Sequence, residues 1–198
     1  MIYLYIFFKN IFDFILSLFA IILFLPLILF FILLILIIDR HFPFFFQLRA
    51  GKFGKPFYLI KLRTMKSEHH LDELNSITRL GHFLRKYKID ELPQLANILF
   101  GQLSFVGPRP LLLSYVDKYT NLQKIRLNIR PGLTGLAQVN VFDNSNWNKK
   151  FEFDTKYVKE MSFILDIKII INTFKLLFLI FTNKVNIKEN YKFFDNKS

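Results

Sequence analysis

The chain has 198 residues, a formal net charge of +12, 53% hydrophobic side chains and no cysteine. That length suits one compact domain with an appendage, and the missing cysteine excludes disulfides, thiolate metal sites and cysteine nucleophiles. The basic residues are scattered and match no nucleic-acid motif, so the charge points to anionic lipid or phosphorylated substrates and away from nucleic acid.

The first 38 residues carry only Lys9 and Asp13 as charges, so the whole positive excess lies in residues 39–198. From Phe14 to Ile38 the chain is apolar apart from Ser17. A helix of that length, at ~1.5 Å per residue, could cross a hydrocarbon core of roughly 30 Å. The run is longer than a signal-peptide core and no small-x-small cleavage site follows it, so a retained segment is expected. Pro26 removes a backbone donor in mid-helix and predicts a kink there. A straight span and a re-entrant hairpin are both compatible with this pattern. Lys9 and Arg40 do not choose a side.

Residues 39–66 read as extended. Arg49 to Pro56 is a turn rich in Gly and Lys, and Phe57–Met65 alternates like a strand, with Lys61 and Arg63 on one face. Residues 67–77 read as a polar loop or short helix. His69-His70 lie there, but adjacent histidines share no helical face and no third ligand is suitably spaced, so no metal site is expected.

Residues 79–88 fit a helix with Leu80, Phe83, Leu84 and Tyr87 on one face and a basic end at Arg85, Lys86 and Lys88. A second helix is predicted from Glu91 to Phe100, with Asp90 as N-cap, Pro93 in the first turn and Gly101 as the stop. Asp90-Glu91 then has two compatible readings. Both are ordinary helix-start residues. Set among cations, the pair is also a natural seat for a divalent ion, and one carboxylate could be a nucleophile.

Gly107-Pro108-Arg109-Pro110 is a rigid loop, because the prolines restrict the backbone on both sides of one Arg. A fixed guanidinium suits bidentate phosphate binding. A second Gly/Pro loop, residues 130–135, has Arg130 at its entrance and matches neither a P-loop nor a dinucleotide fingerprint. Residues 148–160 read as helical. Residues 163–181 form an apolar helix with Lys168, Asn172 and Lys175 on one face, a pattern for lying at a membrane interface. The tail, residues 184–198, is polar.

Taken in order, Lys61-Leu62-Arg63-Thr64-Met65, Arg85, Asp90-Glu91-Leu92-Pro93-Gln94-Leu95, Ser104 to Pro110 and Arg130 to Gly135 resemble the bacterial sugar transferases, the monotopic polyprenyl-phosphate phosphoglycosyl transferases. Lys9 to Phe14 resembles that family's start as well. The resemblance covers essentially the whole chain, which has the length of the small members holding only the catalytic core. It implies an α+β fold in which residues 1–39 form a re-entrant membrane-embedded helix kinked near Pro26 and residues 40–183 a small helix-rich catalytic domain with interfacial amphipathic helices. It implies transfer of a sugar 1-phosphate from a UDP-sugar to polyprenyl (undecaprenyl) phosphate, releasing UMP, at the cytoplasmic face of the bacterial inner membrane. By the same resemblance Asp90 is the nucleophile, Glu91 with Asp90 holds Mg2+, and Lys61, Arg63, Arg85, Arg109, Pro110 and Arg130 line the phosphate site.

 The resemblance departs from the family pattern at two places. Leu25 stands before Pro26 where a serine is common, and Val141-Phe142-Asp143 stands where Gly-Arg-Asn is common. The alternative reading is a catalytically silent, membrane-anchored scaffold of a glycan-assembly complex. The sugar, the glycan pathway and the oligomeric state, a homo-oligomer included, stay open at this stage.

Overall fold

The structure, a computed structural model, describes residues 2–66, 76–141, 146–182, 184 and 194. His69, His70, Phe142 and Asp143 lie outside the described residues, as does nearly all of the tail. Helices dominate, with two small sheets of two strands each.

Helix α1 (Ile2–Leu34) runs unbroken across Pro26 and ends in a π-helical turn, Ile35–Asp39, stopped by Arg40 in the left-handed region (φ 53°). Among the described residues it is the one helix long and apolar enough to cross a membrane, judged by length and composition. Its outward side chains, such as Phe19, Ile22 and Leu23, are exposed, so protein does not cover them.

One face of α1 nevertheless docks on the body along most of its length. Tyr5, Lys9 and Asp13 recur at every fourth residue and therefore share that face. Lys9 pairs with Asp166, and the Tyr5 hydroxyl donates to the same carboxylate at 2.7 Å. Tyr157 donates to the other Asp166 oxygen at 2.6 Å. Asp13 accepts the backbone N–H of Phe105 at 3.2 Å. Further along, Ala20 and Ile21 pack on Phe57, Leu59, Leu95 and Ile98. Phe31 and Ile35 pack with Leu62 and Leu84. Ile35 and Leu84 are fully buried, each contributing about 1.5–3 kcal/mol by leaving water.

Strands β1 (Phe44–Ala50) and β2 (Pro56–Leu62) form an antiparallel hairpin with Phe46 opposite Ile60. The predicted turn is shorter than expected: Arg49 belongs to β1, and the chain reverses through the short 3-10 turn Lys52–Gly54. The strand predicted to Met65 stops at Leu62. Helix α2 (Arg79–Lys86) is capped by the Thr78 hydroxyl, which accepts from Gly81 N–H.

The predicted second helix is divided. Lys88 adopts φ 57°, Ile89–Glu91 forms a 3-10 turn, and helix α3 covers only Gln94–Leu99. Asp90 is therefore inside a tight turn and is not an N-cap. Pro93 has no N–H to contribute and stands as the residue before α3. Gly101 does end the helix, at φ 70°.

The two Gly/Pro loops meet. Strand β3 (Ser104–Val106) pairs in parallel with β4 (Gly132–Thr134), Ser104 facing Gly132 and Val106 facing Thr134. The approach is so close that a Cβ on Gly132 would sit 2.1 Å from Gly107 N. Helices α4 (Asn121–Lys124), α5 (Leu136–Asn140), α6 (Trp147–Glu160) and α7 (Phe163–Phe181) complete the body. In α7, Asp166 and Ile169 are buried, Lys168, Asn172 and Lys175 are exposed, and a third face shows Ile164, Ile167, Ile171, Phe174 and Phe178 to the outside.

Candidate active site

The acidic pair sits where α2, β2 and α3 converge. Gly81 lets α2 press on the end of β2: a Cβ there would lie 2.1 Å from Thr64 O. One turn later Arg85 Nε donates to Thr64 Oγ1 at 2.9 Å. On the other side, α3 takes the place of a third strand. Asn97, fully buried, accepts Ile60 N–H through Oδ1 (3.1 Å) and donates to Tyr58 O through Nδ2 (2.8 Å). These contacts fix the 3-10 turn between α2 and α3 against β2.

Two cations then close on Glu91. Lys61 Nζ lies 2.8 Å from its Oε1 and Arg109 Nη2 lies 3.2 Å from the same oxygen. Burial opposes ionisation of Glu91, but Lys61 and Arg109 outweigh it and hold the carboxyl far below the usual carboxylate range. Asp90 behaves in the opposite way. Burial, then the Glu91 charge, push its carboxyl up to about 6, against the pull of Lys61, Lys88 and Arg85. Its Oδ1 is buried with no hydrogen-bond partner. A buried carboxylate oxygen aimed at no protein donor is available for an incoming atom.

The structure thus brings Lys61, Arg109 and Glu91 into contact, with Arg85 close enough to act on Asp90. Arg63 lies just beyond β2, where its backbone N–H donates to Pro43 O at 2.7 Å. Pro110 is buried and its carbonyl accepts from Arg49 at 3.2 Å. Arg130 is placed differently: its guanidinium packs against Gly101, at the end of α3 remote from the acidic pair. An open groove of about 540 Å³, lined by Phe46, Tyr58, Ile60, Asn97, Phe100 and Gln102, does not include the acidic pair.

Two arginines escaped the sequence reading. Arg49 alternates with Gln47 on β1 and bonds to its side chain. Arg126 is buried beside Asp154, with Nε 3.0 Å from Oδ2. The alternation of β1 gave a signal for the first; nothing in the flanking residues distinguishes the second.

Two adjacent carboxylates, one with an unpartnered buried oxygen, form a hard-oxygen donor set that fits Mg2+, which takes few protein ligands and completes its shell with phosphate oxygens and water. Asp90 and Glu91 would hold it.

A family model described as bacterial sugar transferase matches residues 4–179. The chain is 49% identical over 132 residues to an uncharacterized sugar transferase EpsL of Bacillus subtilis, a match covering 64% of this chain and 65% of that protein. It is 38% identical over 155 residues to a UDP-glucose:undecaprenyl-phosphate glucose-1-phosphate transferase of Klebsiella pneumoniae, covering 71% of this chain and 33% of that protein. The corresponding Escherichia coli protein is 36% identical over 155 residues, with the same coverage. The chain thus spans about two thirds of the first relative and a third of the other two. The chain belongs to the bacterial sugar transferase family.

Proposed function

We propose that the protein is a phosphoglycosyl transferase that moves a sugar 1-phosphate from a UDP-sugar to a polyprenyl phosphate, with undecaprenyl phosphate as the bacterial acceptor. The observation that carries the reading is the unpartnered Oδ1 of buried Asp90 beside a Glu91 that Lys61 and Arg109 keep ionised. The names of the Klebsiella and Escherichia relatives supply the substrate class.

In the first step an Asp90 oxygen attacks the sugar-bearing phosphorus of the donor. A bond forms from that oxygen to phosphorus, and the bond from phosphorus to the bridging oxygen breaks. UMP leaves with the bridging oxygen and the electron pair. In the second step an oxygen of the polyprenyl phosphate attacks the same phosphorus. Polyprenyl-diphosphate-sugar forms and Asp90 returns as a carboxylate. Dividing the transfer in this way replaces one difficult displacement by two easier ones.

Lys61, Arg85 and Arg109 lie where negative charge grows in both steps, and preorganised cations of this kind stabilise a transition state without reorganisation. Asp90 and Glu91 would hold a magnesium ion, which would supply positive charge beside the donor diphosphate. Asp90 must be ionised to attack, and burial, then the Glu91 charge, raise its pKa to about 6.

The same proposal places α1 as a re-entrant helix that enters the inner membrane from the cytoplasmic side and returns to it. Both ends support this: Tyr5, Lys9 and Asp13 dock on α6, α7 and β3, while Phe31 and Ile35 dock on β2 and α2 of the same body. The exposed apolar face of α7 would lie in the headgroup region beside it.

The test is UMP release from a panel of UDP-sugars in the presence of polyprenyl phosphate and magnesium. Unaltered enzyme should release UMP, and Asp90→Asn should not. Intact-protein mass spectrometry with UDP-sugar alone should show a phosphosugar adduct on the unaltered chain. Normal turnover by Asp90→Asn would remove Asp90 from the mechanism.

A further inference from the structure

The Pro108-Arg109-Pro110 loop has an unusual problem of attachment. Its two prolines have no backbone N–H, so the loop can be held chiefly through its carbonyl oxygens. Four consecutive carbonyls are in fact bound, each by a different donor. Gly132 N–H donates to Pro108 O at 2.9 Å, and Ala50 N–H donates to Leu111 O at 3.0 Å. Between them, Arg126 Nη2 donates to Arg109 O at 2.6 Å and Arg49 Nη1 donates to Pro110 O at 3.2 Å.

Neither guanidinium is there by default. Arg126 is 4% exposed. It is held by Asp154, by the Tyr119 hydroxyl at 3.1 Å and by the ring faces of Tyr119 and Phe151. Arg49 is fixed by Gln47, whose Oε1 accepts from both Nε and Nη2. Burial, then the neighbouring Arg109 charge, lower its pKa to about 10. Gathering cations around one loop costs stability. The side chain that this arrangement presents is Arg109, which reaches Glu91.

We propose that Arg49 and Arg126 are positioning residues: by gripping consecutive carbonyls of the Pro-Arg-Pro loop, they aim Arg109 at the diphosphate of the donor substrate. This rests on the transferase reading above. Neither residue touches the substrate; both act through Arg109.

Lysine substitutions separate positioning from packing. Arg126→Lys keeps a cation for Asp154, but one ammonium cannot reach Asp154, Tyr119 and Arg109 O together. The measurements are UDP affinity by calorimetry with magnesium on the full chain in detergent, and amide hydrogen exchange of the segment 109–113. Arg126→Lys and Arg49→Lys should each raise exchange in that segment and weaken UDP by roughly ten-fold, the scale of a lost hydrogen bond to a charged group. The loss of UDP affinity should vanish on an Arg109→Ala background, because the clamp acts on UDP through that side chain, whereas the rise in exchange should persist, because the carbonyls remain.

If Arg126→Lys fails to fold, Arg126→Met with Asp154→Leu replaces it, since that pair leaves no buried charge behind. UDP affinity and exchange equal to those of the unaltered enzyme would overturn the proposal, and so would losses that add to that of Arg109→Ala. Absence of UDP binding by the unaltered enzyme would instead overturn the transferase reading. Exchange in segment 109–113 then decides the clamp alone, and unchanged exchange overturns it.

Discussion

Asp90 and Glu91 are neighbours in sequence yet face opposite electrostatic surroundings. Glu91 is gripped by Lys61 and Arg109, whereas Asp90 keeps one buried oxygen without a partner. This division assigns different losses to different substitutions. Glu91→Gln removes the charge that both cations and a hard divalent ion require. The expected outcome is a severely reduced rate of UMP release and a higher magnesium concentration for half-maximal rate. A magnesium titration of both enzymes checks it, and superimposable curves would reject the role. Lys61→Met should lower turnover by about ten-fold or more through loss of a preorganised cation, measured as UMP release at saturating magnesium. The acidic pair, Lys61 and Arg109 were legible in the sequence because their chemistry is local: paired carboxylates, a strand lysine, an arginine between prolines. Arg126 and Asp154 were not. They are 28 residues apart, and only the fold makes either of them a buried charge.

The elements show where local rules succeed and where tertiary contacts override them. The α7 boundaries at Phe163 and Phe181 follow from apolar periodicity, with Ser162 as a side-chain cap. The region from Asp90 to Leu99 reads equally well as one capped helix, but Lys88 in the left-handed region and the docking of Asn97 on β2 divide it. The parallel pairing of β3 and β4 was hidden because each strand has three residues and looks like a loop. Two substitutions test these element contacts. Gly81→Ala would drive a methyl into Thr64 O, and overpacking of this kind costs about 1–3 kcal/mol. It should lower the thermal unfolding midpoint and, by moving Arg85, depress activity at temperatures where the protein stays folded. Asn97→Ala should cost about 1–3 kcal/mol for each β2 group left without a partner, again read as a lower unfolding midpoint. Unfolding as late as the unaltered protein would show that α3 does not secure the edge of β2.

At the scale of the whole molecule, α1 and the body form one packed unit and not a domain on a tether. A peripheral basic protein leaves a membrane in high salt, whereas an embedded helix resists it. The protein should stay with the membrane pellet in 1 M salt, where the Debye length falls from about 8 Å to about 3 Å, as checked by immunoblot. Topology has its own test. The chain contains no cysteine, so Leu4→Cys offers a single labelling site in the first turns of α1. Labelling only from the cytoplasmic side of sealed vesicles is expected. Labelling from the periplasmic side would show a true span and reject the re-entrant arrangement.

The clasp between α1 and α7 also has a timetable. Lys9 and Asp166 are separated by 157 residues. At roughly 5–20 residues per second, a ribosome needs on the order of 10–30 s to pass from one to the other. During that interval Lys9 has no Asp166, and the start of α1 lacks the partner that holds it in the finished protein. Its two charges, Lys9 and Asp13, are costly to carry through hydrocarbon, so in the re-entrant arrangement proposed above they would act as a brake on translocation before any docking surface exists. In that arrangement, charge would guard the topology first, during synthesis, and the contacts of the folded chain only afterwards.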